Sequence, residues 1–563
     1  MVNVKNLFGM AVMATALVGC SSNDNLAPDG KDNVGKAGEA YASFTINLPT
    51  TTGTGTRGDE AVKDGTPSFA EGTAAEYEVK NGTILIFDNA GNFVTSAQLG
   101  TMNPWTPVKK DGVTTAAITT VQLSGVSVGG DYQALVLLNN DVDATTSKVT
   151  LPTTGDTYAE WSKKTSKVNA EKYASTDGIF MANAPMYTGT TTEPTTLVPI
   201  ANVCASREEA QAKAATTVYV ERGLAKVTMQ NFTAGGYTVA EGTYKGDKVE
   251  IKNWQLDVTN KSTFPVHQIG GTGFAAIWST PRFYDGGNQS FKRVYWGVDP
   301  NYSGATLQNL EACKNAFTMI GKNDIKGETG NDHPQYCLEN TFDLDNMKQG
   351  QTTRVVFKAK FTPKDFTANE TFYKIGNNTA IWNATTLSQQ IRTVAFAVMG
   401  ITTTEEQNKY SVDINAGGEN SIAKKAGQHL IKAENITYTG EGKSKVTEDV
   451  VNAINEKLGL SEAAGIATYL NGEAYYIARI KHFNELTPWT AGTPYGTDNE
   501  SYLGRYGVLR NNWYDLSVTS ISGLGYPDVP EVKPTLPDDE NDQYVNVEVK
   551  ILSWAKRSQQ IKL

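Results

Sequence analysis

The sequence predicts an all-β protein with minor helices, and three observations favour this class. Charged residues make up only 20% of the 563 positions, while threonine, glycine, asparagine and tyrosine are plentiful, a composition typical of secreted β-proteins. Apolar and polar residues alternate in many short segments, which is the period of half-buried strands. Signals for helices are confined to two short stretches. The length leaves room for two to four domains.

The first twenty residues have the layout of a bacterial lipoprotein signal. Lys5 gives a positive start, and a short apolar stretch ends in Leu-Val-Gly-Cys at Cys20. Roughly a dozen apolar residues are too few to span a bilayer, so residues 1–19 are expected to be a signal peptide. The Leu-Val-Gly-Cys pattern resembles the lipobox, which implies lipidation of Cys20. The alternative is a signal peptide with a coincidental cysteine.

The first strand is predicted at residues 41–49, the segment YASFTINLP. Phe44, Ile46 and Leu48 fall on one face of this strand, and polar residues fall on the other. The strand lies within residues 20–57, which we interpret as a propeptide that can be removed.

A Thr/Gly-rich stretch separates this strand from Arg57, the first arginine of the chain. Flexible segments of small residues are where proteolytic nicking concentrates, so we expect a trypsin-like cut between Arg57 and Gly58. Residues 57–59 also spell Arg-Gly-Asp, an integrin-binding motif. That tripeptide is common by chance, and the expected cut would destroy it.

Two β-rich domains are predicted after the cleavage site. Strand patterns fill the first, residues 58–215, and strands with long polar loops fill the second, residues 216–526. The boundary is placed at 216 because a short helix predicted after Ser206 gives way there to a new strand pattern. A second helix is predicted after Thr447 and ends at Gly459.

The C-terminus holds a second strong strand pattern. Four prolines and several acidic residues in 527–543 predict an extended, solvated spacer. Beyond it, residues 544–563 begin with alternating apolar positions. The predicted donor residues of this segment are Val545, Val547, Val549, Ile551, Trp554, Ile561 and Leu563.

These two strands suggest an exchange. Loss of the first strand would leave a sheet with an open edge and an uncovered apolar groove, which is unstable unless another strand fills it. The C-terminal strand of a neighbouring subunit has the required period, so we expect donor-strand complementation. A head-to-tail contact that does not close would build a filament of identical subunits.

No catalytic residue, cofactor or metal site is predicted. The four histidines lie far apart, and a net charge of −10 without a Lys/Arg cluster argues against nucleic acid as a partner. Gly125–Gly129 matches a nucleophile-elbow pattern, but a strand pattern follows it where a helix is required. Asp343 and Asp345 lack the rest of a calcium-binding loop.

Three cysteines follow Cys20, too few for a disulfide framework. Two alternatives stay open for Cys204, Cys313 and Cys337. Cys313 and Cys337 form a bridge, or all three are free buried thiols.

Several segments resemble the Bacteroidales fimbrillins, the major subunits of type V pili, in particular the Mfa1-like and FimA-like members. The most specific is the Arg-Asn-Asn-Trp-Tyr block at residues 510–514, together with the terminal strand. Weaker matches are YVERGLAKV (219–227), YCLENT (336–341) and YLNGEAYYIARIKH (469–482). With the lipobox and Arg57, these segments span the chain.

The resemblance implies two transthyretin-like β-sandwich domains and a structural role in a cell-surface fimbria. It implies an outer-membrane lipoprotein precursor that is lipidated at Cys20, cut at Arg57–Gly58 by an Arg-specific protease and polymerised by strand exchange. The implied partners are further copies of the chain, minor anchor and tip subunits, and surface receptors of host or bacterial cells. The fibre would support adhesion and biofilm formation.

Alternative functions remain open. An anchor subunit would keep its lipid and lack a usable cleavage site, and a tip subunit would lack a donor strand. A glycan-binding surface lipoprotein would need exposed aromatic side chains, for which the candidates are Trp105, Trp161 and Trp382. A β-sandwich hydrolase would need an acid pair or triad that the sequence does not present.

Overall fold

A computed structural model gives the structure of the protein. It describes residues 39–49, 73–100, 107–110, 113–141, 146–167, 170–174, 178–187, 194–269, 292–293, 296–304, 306–442, 444–482, 503–538, 545–552 and 557–558. These residues form mostly β-strands in several sheets, with few helices, so the predicted all-β class is confirmed. No helix in the described ranges is both long enough and apolar enough to cross a bilayer.

Strands and helices are numbered in chain order. The strands of the N-terminal half are β1 (Glu39–Pro49), β2 (Gly82–Asp88), β3 (Phe93–Gln98), β4 (Pro107–Lys110), β5 (Val113–Ser124), β6 (Tyr132–Leu138), β7 (Ser166–Lys167), β8 (Met181–Asn183), β9 (Met186–Tyr187), β10 (Val198–Pro199) and β11 (Thr216–Arg222). The helices are α1 (Ala74–Tyr77), α2 (Tyr158–Trp161), α3 (Ala170–Tyr173), α4 (Arg207–Ala212), α5 (Leu310–Ala316), α6 (Ala384–Met399), α7 (Thr404–Gln407) and α8 (Glu448–Lys457).

The strands of the C-terminal half are β12 (Ala225–Met229), β13 (Tyr237–Thr238), β14 (Lys248–Asp257), β15 (Thr259–Asn260), β16 (Ser262–Thr263), β17 (Lys292–Arg293), β18 (Phe317–Thr318), β19 (Gln335–Cys337), β20 (Arg354–Thr362), β21 (Phe372–Ile375), β22 (Tyr410–Val412), β23 (Gly427–His429), β24 (Ile436–Tyr438), β25 (Ile466–Tyr469), β26 (Glu473–Arg479), β27 (Trp513–Ile521), β28 (Val545–Leu552) and β29 (Arg557–Ser558). Short 3-10 turns lie at Lys322–Asp324, Leu344–Asn346, Gly418–Asn420, Ala433–Asn435 and Leu470–Gly472.

The N-terminal half forms a rolled sheet in the order β3-β2-β6-β8-β11-β1-β5-β4, with β10 beside β6. Strands from distant parts of this order, such as β2 and β5, contribute to one inner core. Near the two ends of the sheet, Thr119 Oγ1 on β5 donates to the carbonyl of Leu99 at 3.1 Å. The sheet therefore curls around this core instead of lying open.

The C-terminal half is a sandwich of two sheets. Their orders are β19-β12-β27-β28-β29 and β13-β14-β20-β26. Both sheets contribute to one core, for example Leu516 from the first and Phe357 from the second. β14 alternates between buried and exposed positions, so it has one apolar face toward this core. β26 is buried on both faces, because Tyr475 and Ile477 pack in a second apolar cluster.

A unit with its own apolar core lies between β20 and β26. Its longest helix, α6, has Asn383 as N-cap and Gly400 in the left-handed region (φ 66°) as C-cap. Leu387, Ile391 and Ala395 form the buried stripe of this helix at four-residue spacing. α6 was not predicted from the sequence.

The two predicted helices are present as α4 and α8. The hydroxyl of Ser206 accepts a hydrogen bond from the Glu209 amide at 3.2 Å at the start of α4. The hydroxyl of Thr447 accepts one from the Val450 amide at 3.4 Å at the start of α8. Both hydroxyls satisfy a backbone N–H that the first helical turn leaves without a partner.

The two halves share a second apolar core on the outer face of the rolled sheet. Ile84 of β2 points into the inner core, whereas Leu85 and Phe87 point the opposite way. Leu338 and Trp513 of the C-terminal half pack in the same cluster as Leu85 and Phe87. The halves are therefore joined by packed apolar surface.

The chain passes from the first sheet to the second at Gly223 and Leu224. β11 still belongs to the rolled sheet, and β12 is the first strand of the sandwich. The change of sheet thus comes later than the expected boundary at 216. The strand pattern gives the start of β11 but carries no information on the sheet that β11 joins.

Candidate strand-exchange site

β1 lies inside the rolled sheet with a neighbour on each side. It pairs antiparallel with β5 along its whole length and parallel with β11 over residues 44–47. Ahead of β11, the Tyr41 amide donates to the carbonyl of Cys204 at 2.9 Å, and the Cys204 amide donates to the carbonyl of Tyr41 at 2.8 Å. Both backbone edges of β1 are paired, so its removal would open two edges at once.

The inner face of β1 is fully buried over residues 40–46. Four successive inward positions have no exposed surface and lie in the inner core, namely Ala40, Ala42, Phe44 and Ile46. Burial of an aromatic or branched side chain stabilises the folded state by about 1.5–3 kcal/mol. Phe44 and Ile46 together therefore contribute several kcal/mol. The backbone of Leu48 lies opposite Thr115, and its side chain is outside the described part. The groove beneath β1 is walled by Val121, Leu123, Val218 and Val220.

Helix α4 covers the outer face of β1. Ser43 is only 6% exposed, and its hydroxyl donates to the carbonyl of Ala210 on α4 at 2.8 Å. The same hydroxyl lies 2.9 Å from Thr120 Oγ1 on β5. The Arg207 guanidinium lies over the Tyr41 ring, 5.9 Å from the ring centroid. The outer face thus has a narrow polar slot at position 43 and an aromatic position at 41.

The three described cysteines are free thiols, and all are buried. Burial raises the pKa of the Cys204 thiol beside β1, and it raises the pKa of Cys337 to about 12. A thiol with a raised pKa stays protonated and unreactive at neutral pH. Of the two alternatives for Cys204, Cys313 and Cys337, the structure contains the free thiols.

The predicted donor strand is β28, and it is held on its own subunit in this structure. It pairs antiparallel with β27 in the sandwich. Three predicted donor positions lie opposite buried residues of β27, in the pairs Val547–Val518, Val549–Leu516 and Ile551–Tyr514. Beyond β28, this sheet has only the short β29 among the described strands.

The other predicted site residues lie outside the described part of the chain. They are Cys20, Arg57, Gly58, Trp554, Ile561 and Leu563. The lipidation and cleavage positions therefore stay predictions from the sequence.

The predicted spacer packs along the C-terminal half as far as residue 538. The carbonyl of Pro530 accepts from Arg354 Nη2 at 2.7 Å, and the carbonyl of Leu536 accepts from the Gln349 amide at 3.0 Å. Val532 is 5% exposed and lies in an apolar cluster. This stretch is therefore fixed along the domain, and not free in solvent as expected, because its carbonyls and its apolar side chain find partners there.

The Arg-Asn-Asn-Trp-Tyr block connects the rolled sheet of the N-terminal half with the sandwich of the C-terminal half. This role was not predicted from the sequence. Asn511 has a left-handed backbone (φ 57°), and its amide donates to the carbonyl of Leu224 at 2.6 Å. Its side-chain oxygen accepts from the amide of Arg222, the last residue of β11, at 3.2 Å. Arg510 Nε donates to Glu339 Oε2 at 3.1 Å. The block is thus hydrogen-bonded to the end of β11, which forms one wall of the groove beneath β1.

A buried ion pair reinforces this junction. Lys226 Nζ lies 2.6 Å from Oε1 of Glu76 in the N-terminal half, and the hydroxyl of Tyr336 donates to the same oxygen at 2.6 Å. The Lys226 ammonium also lies 3.8 Å from the centroid of the Trp513 ring. Burial lowers the pKa of Lys226, and the Glu76 carboxylate opposes that shift. Removal of either partner would leave a buried charge uncompensated.

The nucleophile-elbow pattern and the histidines, which were rejected as catalytic or metal-binding candidates from the sequence, have structural roles. Gly125–Gly129 lies in the connection between β5 and β6, and β6 follows it directly. His267 Nδ1 lies 2.8 Å from Glu221 Oε1, and His482 Nδ1 lies 2.8 Å from the hydroxyl of Tyr514. Within the described residues, no group of three or more His, Cys, Asp or Glu side chains could hold a metal ion.

The residues considered for a calcium or sugar site form part of the local structure, by hydrogen bonding or by packing, wherever the structure describes them. Asp343 Oδ1 accepts from the Asp345 amide at 3.1 Å and caps a 3-10 turn. Trp161 is 1% exposed, Trp382 is half-buried against the core of the inserted unit, and Trp105 is outside the described part.

Comparison with known proteins points to fimbriae. Residues 467–560 match the family model described as major fimbrial subunit protein type IV, fimbrillin, C-terminal. Over this segment the chain is similar to fimbrillins. The matched segment contains the Arg-Asn-Asn-Trp-Tyr block, β27 and β28. The match supports a fimbrillin-type subunit, with a structural role and a location in a cell-surface fimbria.

One solved structure aligns with a larger part of the chain. It is a fimbrial assembly protein from Parabacteroides distasonis ATCC 8503, with 13% identity and a TM-score of 0.28. The alignment covers 58% of this chain and 87% of the other. No curated protein matches the sequence.

Proposed function

We propose that the protein is the polymerising structural subunit of its fimbria and that it assembles by donor-strand exchange. The precursor is exported as a lipoprotein modified at Cys20, and an Arg-specific protease cuts it after Arg57. β1 then leaves, and the C-terminal strand of another copy fills the groove. Minor anchor and tip subunits complete the fibre, which supports adhesion and biofilm formation.

The position of β1 carries this proposal. A strand at the edge of a sheet could leave with little consequence, but β1 is paired on both sides by β5 and β11. Its inward side chains fill the core of the rolled sheet. A chain that lost β1 would expose two unpaired edges and the apolar wall residues between them, so it would need another strand.

The strand pairing of β28 in the monomer also supports the proposal. β28 is held mainly by one long ladder, to β27, and β29 pairs only with its last residues. A strand with one main neighbour has fewer backbone bonds to exchange than β1 has. Transfer of β28 into a groove with two neighbours would gain a second ladder, and this gain would favour assembly.

Deletion of residues 544–563 tests the proposal. The truncated protein, cut after Arg57, is expected to fold and accept a donor strand but to donate none, so it should terminate growing chains of full-length protein. Val547→Asp in the full chain should also weaken assembly, because it buries an unpaired charge. Lys550→Asp, at an alternate position, is the matched control and should assemble normally. Long ladders from the truncated protein alone would show that the donor assignment is wrong.

A further inference from the structure

We infer that the C-terminal strand replaces β1 residue for residue, with Tyr544 in the place of Tyr41. The inference rests on the proposed strand exchange and fixes its register. The segments YASFTINLP (41–49) and YVNVEVKIL (544–552) align without a gap. Each begins with tyrosine, has a small polar residue at its third position and has apolar residues at every second position after the tyrosine.

The direction of the incoming strand follows from the neighbours of β1. The ladder with β5 and the bridge to Cys204 are antiparallel, and the ladder with β11 is parallel. Donors and acceptors on β5 and β11 are already placed for a strand with the direction of β1. A donor that enters with the same direction therefore keeps both hydrogen-bond patterns, whereas the reverse direction would disrupt both.

Shifts by one residue are excluded by the alternation of side chains. In the inferred register, the inward positions of the aligned segment, 545, 547, 549 and 551, carry only apolar residues. A shift by one residue would turn Asn546, Glu548 and Lys550 into the inner core, because the side-chain period of a strand is two. Burial of two charged side chains without partners there is costly.

Shifts by two residues are decided by the slot at Ser43. That slot is closed by the Ala210 carbonyl at 2.8 Å and the Thr120 hydroxyl at 2.9 Å. Asn546 fits it, because an amide both donates and accepts and so can serve the carbonyl and the hydroxyl. The even shifts place Tyr544, Glu548 or Lys550 in the slot instead.

Each of these alternatives conflicts with the slot. The tyrosine ring and the lysine chain both extend well beyond the length of an asparagine side chain, so neither can end between the carbonyl and the hydroxyl. The glutamate carboxylate accepts hydrogen bonds only, so it would face the Ala210 carbonyl without a donor between them. The slot at Ser43 therefore selects the register.

The rest of the alignment agrees with this register. Tyr544 would bring an aromatic ring to the Arg207 guanidinium, which lies 5.9 Å from the Tyr41 ring centroid in the precursor. In the core, Val545 in the place of Ala42 adds side-chain volume. At the next inward position, Val547 in the place of Phe44 removes side-chain volume. Volume-conserving exchanges of this kind are the ones that cores tolerate best.

Disulfide trapping tests the register directly. Thr120 of β5 lies opposite Ser43, so Thr120→Cys combined with Asn546→Cys should give a covalent ladder when the cut protein is assembled and oxidised. Moving the second cysteine to Tyr544→Cys or Glu548→Cys displaces it by about 7 Å along the strand. Disulfides need Cα atoms within about 7 Å, so these pairs should give at least about tenfold less product. Thr120→Cys alone is the background control, because the native thiols are buried.

The slot itself is tested by matched substitutions. Asn546→Glu should lower the assembled fraction at least about tenfold because it buries an unpaired charge. Asn546→Ser should assemble normally, since serine is the residue that β1 has there. Glu548→Asn is the positional control and should also assemble. Unfolding of each precursor shows whether the monomer is intact.

The outcomes separate the register from the exchange. A ladder from the 120–546 pair supports the inference. A ladder from the 544 or 548 pair would overturn the register and leave strand exchange standing. Polymer without a ladder from any pair would overturn the register and the placement of the donor beside β5. Absence of polymer from the cut wild-type protein would overturn the proposed function itself.

Discussion

Phe44 has the largest side chain on the inner face of β1, and under the proposed cleavage it belongs only to the precursor. Phe44→Ala should therefore destabilise the uncut precursor by about 3–5 kcal/mol, the cost of removing a buried aromatic side chain. The fibre should be unaffected, because the residue has left with the propeptide. Urea unfolding of precursor and fibre measures both.

The control for Phe44 is its half-exposed neighbour Thr45. Thr45→Ala should change the free energy of unfolding of the precursor by less than about 0.5 kcal/mol. Equal losses of stability in precursor and fibre from Phe44→Ala would contradict the account, since β1 would then still be present after assembly.

Residues on the two faces of β1 differ in how well the sequence predicts them. The alternation of residues 41–49 was sufficient to predict that Phe44 and Ile46 are buried. It also predicted that Ser43 faces the polar side, yet Ser43 is 6% exposed. The strand period cannot reveal this burial, because α4 is what covers the polar face.

At the scale of elements, β27 should report the departure of β28. In the monomer, β27 pairs with β28 along its whole length and with β12 over residues 513–516. Assembly by donation should increase hydrogen exchange at the β28-facing amides of β27, because that edge loses its partner. Amides of β5 and β11 should stay protected, since the groove is filled again.

Hydrogen exchange of monomer and fibre, measured by mass spectrometry, checks this prediction. The protection of β12, which keeps its ladder to β27, serves as the internal control. Unchanged protection across the whole of β27 would mean that β28 stays on its own subunit.

Other elements were predictable only in part. The cap at Asn383, the stripe through Leu387 and Ile391 and the terminal Gly400 together form a helix signal that could have revealed α6. The prolines of 527–538 predict an extended chain, whereas the structure bends at residues 527–528 and turns at residues 534–535. An irregular chain of this kind can lie on a surface or project into solvent. Contacts such as Arg354 to Pro530 decide between the two, and they are absent from any local pattern.

At the scale of the whole molecule, the groove and the donor strand are linked through packed structure. β11 forms one wall of the groove and continues into β12, which pairs with β27, the partner of β28. The Lys226–Glu76 pair and the Arg-Asn-Asn-Trp-Tyr block join the halves at this point. Tension along a fibre would therefore pass through a buried junction.

Lys226→Met should weaken this junction. It leaves the Glu76 carboxylate buried without its cation, so the free energy of unfolding should fall by about 3–5 kcal/mol. A second substitution, Glu76→Gln, removes the uncompensated charge and should restore most of the lost free energy of unfolding. Denaturant unfolding of the single and double variants measures the effect.

The exposed pair of Lys213 and Glu209, also 2.6 Å apart, provides the matched control. Lys213→Met should leave the free energy of unfolding nearly unchanged, because water screens exposed pairs. Equal losses from Lys226→Met and Lys213→Met would contradict a role for the buried pair in holding the halves together.

The sequence predicted two β-rich halves but not the surface between them. A strand with alternating faces, such as β1, indicates one buried side. A continuous apolar run, such as that through Leu85 and Phe87 in β2, indicates burial on both sides but not the partner on the second side. That partner includes Trp513, which lies more than 400 residues later in the chain and could be found only from the folded structure.

The N-terminal sequence of the subunit sheared from the cell surface tests the central claim most directly. Strand exchange requires that β1 has left, so the surface form should begin at Gly58 with the sequence GDEAVKDG and carry no lipid. A blocked, lipid-modified terminus at Cys20 in the assembled fibre would contradict the account, because β1 would then still be part of every subunit.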